Sequence, residues 1–252
     1  MPLSTNSPNH FLLSLSDTDR NLIFPHLKRV TIPRETIIFK AEDTIERVYF
    51  PHSGIISLVG LSSGQFVEAG MLGRNGVIGA GAALDGQTAL NTAIGQADGA
   101  GTMIEAGVLK KAARESETLR VALVRQEHVL AAQTQQVAAC NALHELEERL
   151  SRWLLQSRDL LNSDNLPLTQ EFLAQMLGVQ RSSVTLVARK LQEAGLISYR
   201  RGQIHVLDVE GLQDSCCECY RAINTHFSKL IGWSPDVPAH DPATHKTHSP
   251  PL

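Results

Sequence analysis

The feature that most constrains this chain is a stretch from Ala112 to Leu161 that contains neither proline nor glycine. Because both residue types interrupt helices, the stretch predicts one long helix or two consecutive helices. We expect a long helix over 112–142 and a second helix from Leu143 to Leu161. These helices divide the chain into an N-terminal part and a C-terminal part whose sequence patterns differ.

One side of the long helix carries residues at alternating steps of four and three, the spacing of a coiled-coil seam. The seam comprises Leu119, Leu123, Gln126, Leu130, Gln133, Val137 and Cys140. A helix of this length needs a cover for such a stripe. The spacing favours a helix from a second copy of the chain, and packing on the chain's own sheet domain is the alternative. In either case we expect Cys140 to be buried.

The N-terminal part predicts a short helix followed by many short strands. The helix covers Leu15–Leu27, and Ser16 is a good cap for its start. The predicted strands are Arg29–Ile32, Thr36–Phe39, Arg47–Phe50, Ile55–Leu61, Gln65–Leu72, Thr92–Ile94 and Thr102–Ile104. Short strands with a turn signal roughly every 8–12 residues predict an antiparallel barrel or sandwich.

The C-terminal part predicts two helices joined by a tight turn. Thr169 can cap a helix over Gln170–Leu177, and Gly178 can end it. A second helix then begins at Gln180 or Ser182. Two helices separated by so short a turn are typical of a helix-turn-helix.

A two-stranded ribbon follows the second helix. Leu196–Tyr199 and Gln203–Leu207 alternate in polarity, and Arg201–Gly202 forms the turn between them. The segment from Pro167 to His205 has five basic and two acidic residues, a net charge of +3 in a chain of −3. Such a basic patch suits the phosphate backbone of DNA, and the second helix suits its major groove.

These patterns, in this order, resemble the Crp–Fnr superfamily of bacterial transcription regulators over roughly Phe11 to Trp233. The N-terminal resemblance rests on VYFPHSGIISLV (48–59) and GVIGAGAAL (76–84), and the C-terminal one on LTQEFLAQMLGVQRSSV and GLISYRRGQIHVLD. It implies an α+β fold with an N-terminal antiparallel β jelly roll, a long dimerisation helix and a C-terminal winged helix-turn-helix. The implied divisions are a flexible N-terminus (1–10), a cyclic-nucleotide-binding-like sensor (11–111), the dimerisation helix (112–142), the DNA-binding domain (143–233) and a disordered tail (234–252).

The resemblance also implies a function and its partners. We expect a sequence-specific transcription regulator that binds double-stranded DNA as a homodimer on a palindromic operator. Its seam would be the dimer interface, formed by Leu119, Leu123, Gln126, Leu130, Gln133 and Val137. An unidentified effector would act at the sensor, and RNA polymerase is a candidate partner. The alternative is a constitutive DNA-binding protein whose sensor is only a dimer scaffold.

This sequence matches only some of the residues with which the family contacts DNA. Arg181 matches a family arginine that reads guanine, whereas Ser182 and Leu186 replace an acidic residue and a later arginine of the cyclic-AMP receptor type. We expect base contacts from Gln180, Arg181, Ser183 and Thr185, with Ser182 in the same surface. Phosphate contacts are expected from Thr169, Arg189, Arg200 and Arg201.

The sensor lacks the family's cyclic-nucleotide phosphate cassette. Ala80 replaces the cassette glutamate, the arginine position falls near Leu90 or Asn91, and no basic residue lies between Arg74 and Lys110. Conventional cyclic-AMP binding is therefore not expected, because the phosphate would be buried without a charge partner. The weak effector candidates are Gly79, Gly81, Thr134 and Gln135.

No cofactor, metal or catalytic activity is predicted. No cysteine precedes Cys140, so the iron–sulfur scheme of oxygen-sensing relatives fails. Cys216, Cys217 and Cys219 could bind a soft metal or sense oxidation, and packing is the alternative that we favour. Neither a membrane span nor an export signal is visible, so we expect a cytoplasmic protein.

Overall fold

The computed structural model describes residues 9–62 and 65–235. The expectations of a flexible N-terminus over 1–10 and a disordered tail over 234–252 therefore lie almost wholly outside the described residues. The chain forms an antiparallel β-rich domain, a long helix and a C-terminal helical domain with a small sheet, which confirms the predicted α+β fold. Among the described helices, none is both long and apolar enough to cross a membrane.

The N-terminal domain begins with two short helices, α1 (His10–Ser14) and α2 (Asp17–Ile23). The Ser16 side chain accepts a hydrogen bond from the Asp19 amide and so caps α2, as predicted. The strands that follow are β1 (Lys28–Ile32), β2 (Ile37–Phe39), β3 (Arg47–Pro51), β4 (Ile55–Ser62), β5 (Gln65–Leu72), β6 (Thr92–Ala97) and β7 (Gly99–Glu105). They form two antiparallel sheets, with the orders β1-β7-β3 and β2-β6-β4-β5.

The proline-free stretch forms three helices, α3 (Ala106–Glu115), α4 (Glu117–Leu143) and α5 (Leu146–Leu161). The long helix begins at Glu117 instead of residue 112, because the Ser116 hydroxyl accepts a hydrogen bond from the Leu119 amide and caps a new helix there. A second break follows Leu143, where Glu145 and Glu148 form a capping box that starts α5.

The C-terminal domain contains α6 (Gln170–Leu177), α7 (Arg181–Glu193), α8 (Val209–Asp214) and α9 (Cys219–Ile231). Its small antiparallel sheet has the order β8-β10-β9, formed by β8 (Asn165–Leu166), β9 (Ile197–Arg200) and β10 (Gln203–Val206). The pair α6–α7 and the ribbon β9–β10 match the predicted helix-turn-helix and wing. The two-residue strand β8 is too short to leave a sequence pattern.

The stripe of α4 that was predicted to face a second copy is buried within the chain itself. The side chains that expose at most 4% of their surface in the isolated chain are Leu119, Leu123, Gln126, Gln133 and Val137. Leu130 is half-buried and packs against the apolar core that contains Val137. Cys140 is buried, as expected. Because buried side chains offer no surface to another copy, the assignment of the five buried residues to a dimer interface is corrected in favour of packing inside one chain, and the assignment of Leu130 stays a prediction.

Helix α9 and the sheet domain cover this side of α4. The start of α9 lies beside the end of α4, where the Gln136 amide donates to the Cys219 sulfur at 3.1 Å. The end of α9 borders the groove that Val121 and Gln126 line near the start of α4, so the two helices run antiparallel. Ile223 of α9 belongs to the same buried core as Val137.

Helix α5 connects the two domains through a single core. It is buried at every position from Leu150 to Leu160. Its Trp153 meets Phe172 of α6 edge to face, with ring centroids 6.3 Å apart. Since β4, β5 and α6 contribute to the same apolar cluster, the sensor-like domain and the helix-turn-helix are packed together.

The packing of α9 on α4 can be tested by truncating Ile223, which exposes 1% of its surface. Ile223→Ala should lower the free energy of unfolding by about 2–5 kcal/mol, because it removes buried methyl groups and leaves a cavity. Thr225→Ala changes an exposed residue of the same helix and should stay within about 0.5 kcal/mol of the wild type. Chemical denaturation measures both; equal effects would contradict the described packing of α9.

Candidate nucleic-acid interface

The helix-turn-helix is organised by local signals at its turn. The Thr169 hydroxyl accepts a hydrogen bond from the Phe172 amide at 3.2 Å and caps α6. Gly178 ends α6 with φ +65°, a left-handed conformation that glycine adopts without strain. Val179 is half-buried in the core between the two helices. As a result, α7 begins at Arg181 with Gln180 as its N-cap residue.

The buried and exposed sides of α7 are clearly separated. Val184, Ala188 and Leu191 are buried in the core. The predicted contact residues on the other side are exposed or half-buried: Gln180, Arg181, Ser182, Ser183, Thr185 and Arg189. A helix that presents this many polar side chains can reach base edges in a major groove.

The start of α6 and the wing adjoin the exposed side of α7. The Thr185 hydroxyl donates to Gln170 Oε1 at 2.7 Å, and Arg181 Nε lies 3.8 Å from a carboxylate oxygen of Glu171. A β-carbon at Gly202 in the wing would meet the methyl group of Thr169 at 3.4 Å. The structure therefore brings the predicted residues of α6, α7 and the wing into one surface.

Arg181 and Arg189 each form an exposed ion pair. Arg181 pairs with Glu171, and Arg189 Nε lies 3.6 Å from Glu193, with side chains about two-thirds exposed. Exposed ion pairs contribute about 0–1 kcal/mol, so a phosphate or a guanine can take over these guanidinium groups at little cost.

The wing turn presents two further arginines. Arg201 and Gly202 both have positive φ, +50° and +77°, as expected for the two central residues of a tight hairpin turn. The Arg200 and Arg201 side chains are exposed. Their position at the tip of the wing suits contact with the phosphate backbone beside the groove.

Sequence reasoning missed two residues of this surface. Gln170 holds the Thr185 hydroxyl, and its position directly after the Thr169 cap is the only signal that could have identified it. Leu186 is 63% exposed on α7 although it is apolar. An exposed apolar side chain on such a helix can contact the methyl group of thymine.

The β4–β5 hairpin of the sensor-like domain touches the helix-turn-helix. A β-carbon at Gly178 would lie 3.1 Å from a methyl group of Val67 on β5. Arg34 donates to the Pro167 carbonyl at 3.3 Å, and its guanidinium lies 5.7 Å from the centre of the Phe172 ring. A shift of the hairpin would therefore act directly on the turn before α7.

A buried polar cluster lies at the same junction. Glu68 of β5 accepts hydrogen bonds from the Ser57 hydroxyl and from the Gln96 amide, the latter at 2.9 Å. Burial raises the pKa of Glu68, and the Ser57 hydrogen bond and the charge of Arg152 oppose this rise. Arg152 comes from α5 and is itself buried, with its guanidinium donating to Gln156 at 2.6 Å. The junction thus combines a large apolar core with a small set of buried polar groups, of which Arg152 Nε and Gln96 Oε1 have no hydrogen-bond partner.

In the sensor-like domain, the Glu127 carboxylate of α4 accepts a hydrogen bond from a backbone amide. This amide lies in the segment that corresponds to the family's phosphate cassette. Gly79 has φ +82° and precedes a 3-10 helix over Ala80–Leu84. The Gly81 amide donates to Glu127 Oε1 at 2.9 Å. Burial raises the pKa of Glu127, and the Gly81 amide partly offsets the rise. An anion at this amide would have to displace Glu127.

The weak effector candidates are not brought together. Gly79 and Gly81 lie at the cassette, whereas Thr134 and Gln135 are exposed on α4. Seven residues separate Glu127 from Thr134, about 10 Å along a helix. The residue of α4 that meets the cassette is Glu127, and the four weak candidates stay a prediction.

Two family models match the chain. A model of the cyclic nucleotide-binding domain matches residues 29–116, and a model of the Crp-like helix-turn-helix domain matches residues 148–215. Both α4 and α9 lie outside the matched residues. No curated protein sequence matches the chain.

Solved structures share the fold at low identity. FixK2 from Bradyrhizobium japonicum matches with a TM-score of 0.66 at 17% identity, over 76% of this chain and 98% of its own. The c-di-GMP responsive global regulator CLP from Xanthomonas campestris matches with 0.63 at 18% identity, over 77% and 100%. A transcriptional regulator of the CRP family from Thermus thermophilus matches with 0.60 at 22% identity, over 75% and 95%.

Glu127→Gln tests the charge at the cassette. Because burial raises the pKa of Glu127, the folded state binds its proton more tightly than the unfolded state does. Stability therefore falls as the pH rises from 4.5, the ordinary value, through the folded pKa. Glutamine keeps an acceptor for the Gly81 amide without the charge. Glu127→Gln should raise the free energy of unfolding at neutral pH, and the gain should vanish in acid.

Denaturant titrations at a series of pH values measure this difference. Glu46→Gln removes an exposed carboxylate of the same domain and should leave the free energy of unfolding at neutral pH within about 0.5 kcal/mol of the wild type. A variant less stable than the wild type at neutral pH would contradict the unfavourable burial of Glu127.

Proposed function

The chain belongs to the Crp–Fnr superfamily of transcription regulators, and we propose that it binds a palindromic DNA operator as a homodimer. The observation that carries the proposal is the continuous exposed surface formed by the start of α6, the outer side of α7 and the wing. In the cytoplasm, this surface would bind double-stranded DNA and place the regulator next to RNA polymerase at a promoter.

In this proposal, side chains at the start of α7 contact the bases, and the residues around them fix the position of the helix on the DNA. Arg181, at the first turn of α7, is placed to form two hydrogen bonds with guanine, and Gln180, Ser182, Ser183 and Thr185 surround it. Thr169, Arg189, Arg200 and Arg201 contact phosphates on either side. Since phosphate contacts are independent of sequence, they position the helix and the bases then determine the choice of site.

The dimer interface is proposed on the exposed side of α4, opposite the buried stripe. Val124, 45% exposed, begins a second set of residues at steps of four and three. The set is Val124, His128, Ala131, Gln135, Ala138 and Ala142, all of them exposed. Small side chains at this spacing allow two helices to approach closely, and α9 leaves this side of α4 open.

The hydrogen bond of Glu127 at the cassette is relevant to whether a ligand controls DNA binding. Its carboxylate already satisfies the Gly81 amide, which supports a protein that does not respond to cyclic AMP in the usual way. Two forms of the proposal follow, an unidentified effector that acts elsewhere on the sensor or constitutive DNA binding. A metabolite that changes the affinity for DNA would separate the first from the second.

Arg181→Ala tests the base-reading role. It should weaken binding to the preferred operator by about 1–3 kcal/mol and binding to random duplex much less, because it removes a contact that only the correct base offers. Arg221→Ala removes an exposed arginine of α9, outside the proposed surface, and should change neither affinity. Fluorescence anisotropy on both duplexes measures the effect, and equal losses for Arg181→Ala on the two duplexes would remove its reading role.

Val124→Glu tests the dimer interface. A glutamate there would place two like charges in the apposed helices and should weaken dimerisation at least about tenfold. Thr134→Glu adds the same charge on the same helix, roughly 80° around its axis from Val124, and should leave the dimer intact. Sedimentation velocity distinguishes monomer from dimer; a dimeric Val124→Glu chain would show that another surface pairs the subunits.

A further inference from the structure

Four potential metal ligands meet where α4 ends and α9 begins. Cys140 lies in the last turn of α4, His144 directly follows that helix, and Cys217 and Cys219 flank the start of α9. Their ligand atoms all lie within 4.8 Å of one another. The Cys140 and Cys217 sulfurs are 3.5 Å apart, and the Cys219 sulfur is 3.5 Å from His144 Nδ1.

The chain spacing explains why these side chains converge. Cys140 and His144 are separated by one helical turn, so they point to the same side at the end of α4. The Cys217–Cys219 pair reaches this point because α9 packs antiparallel to α4 along the rest of its length. The neighbouring Cys216 is half-buried, and its sulfur instead donates to the Cys217 carbonyl at 3.3 Å.

Side chains outside the cluster orient two of the four potential ligands. His144 presents Nδ1 to the cluster, and its Nε2 lies 3.4 Å from the Glu218 carboxylate. A carboxylate on the second ring nitrogen is the arrangement that commonly fixes a metal-bound histidine. The Gln136 amide donates to the Cys219 sulfur at 3.1 Å, which stabilises a thiolate at that position.

The donor set and its dimensions select the class of metal. Three thiolates and one imidazole in a closed, mostly buried site are typical of tetrahedral structural zinc. A Zn–S bond of about 2.3 Å places tetrahedral ligand atoms about 3.8 Å apart, so the observed cluster needs only a small contraction. An iron–sulfur cluster would hold its ligands farther apart, because several irons and sulfides lie between them.

We propose that Cys140, His144, Cys217 and Cys219 bind one Zn²⁺ per chain. The bound ion would carry three thiolates and hence a net charge of −1. The thiol protons are released to solvent when the metal binds.

The position of the site gives the metal a structural role. It joins the end of α4 to the start of α9 at the break that precedes α5, and α5 leads into the helix-turn-helix. Bound zinc would hold α9 on α4 and fix the direction in which α5 leaves the long helix. Any consequence for operator binding rests on the proposed function, whereas metal binding itself does not.

Metal analysis of the untagged full-length chain tests the proposal. After dialysis, we expect about one zinc per wild-type chain. Co²⁺ in its place should show the intense thiolate-to-metal absorption and the visible bands of a tetrahedral site. Cys140→Ser and Cys219→Ser should lose the zinc and the thiolate absorption. Cys216→Ser is the matched control and should keep both.

Glu218→Gln provides a milder test that leaves every ligand in place. Loss of the carboxylate behind His144 should lower zinc affinity about 10–100-fold in a competition titration with a chelator. The thiolate absorption of Co²⁺ also separates this site from zinc held by His240, His245 and His248, which would bind through imidazole alone.

Several results would overturn the proposal. A wild-type chain that retains no zinc and gives no thiolate absorption with Co²⁺ would exclude the site, whether or not the cysteine variants fold. Iron with inorganic sulfide, a Cys140–Cys217 disulfide, or equal loss of metal in Cys216→Ser would also do so. Because the readout is metal content and absorption, a protein that binds zinc but no operator would refute the proposed function alone.

Discussion

The structure depends on the burial of one side of α4 within its own chain. The sheet domain packs on the same side of this helix as α9, and Gln133 donates to the Met71 carbonyl at 3.2 Å to fix β5 against it. The opposite stripe from Val124 to Ala142 is exposed. In the proposed dimer, α4 would therefore both hold one chain together and present the surface for pairing.

The contact between the sensor-like domain and the helix-turn-helix follows from the same packing. Helix α5 is enclosed by both domains, and the β4–β5 hairpin touches the turn before α7 through Val67 and Gly178. A domain pair that shares one core cannot move by free rotation about a linker. A change of orientation has to repack this junction, which makes the buried side chains of Glu68 and Arg152 sensitive positions.

Local chemistry made part of this architecture predictable. Ser16, Thr169 and Gly178 act through their own backbone neighbours, so their helix boundaries could be read from the sequence. The face of α4 could not, because a stripe at coiled-coil spacing looks the same whether its cover is a second copy or the same chain. Gln126 and Gln133 were the available signal, since two amides in one predicted seam suit an irregular intrachain contact better than a dimer core. The sequence indicated Cys217 and Cys219 as possible metal ligands but not their convergence with Cys140, because only the packing of α9 on α4 brings Cys140 and Cys217 together.

The most direct test is selection of the purified protein against a randomised DNA duplex pool, with sequencing of the bound fraction. A dimer that reads DNA through α7 should enrich an inverted repeat whose half-site centres are about 10 base pairs apart, as two α7 helices on paired chains require. Enrichment of a single half-site would contradict the dimeric geometry. Weak, salt-sensitive binding to every sequence would contradict sequence reading by α7.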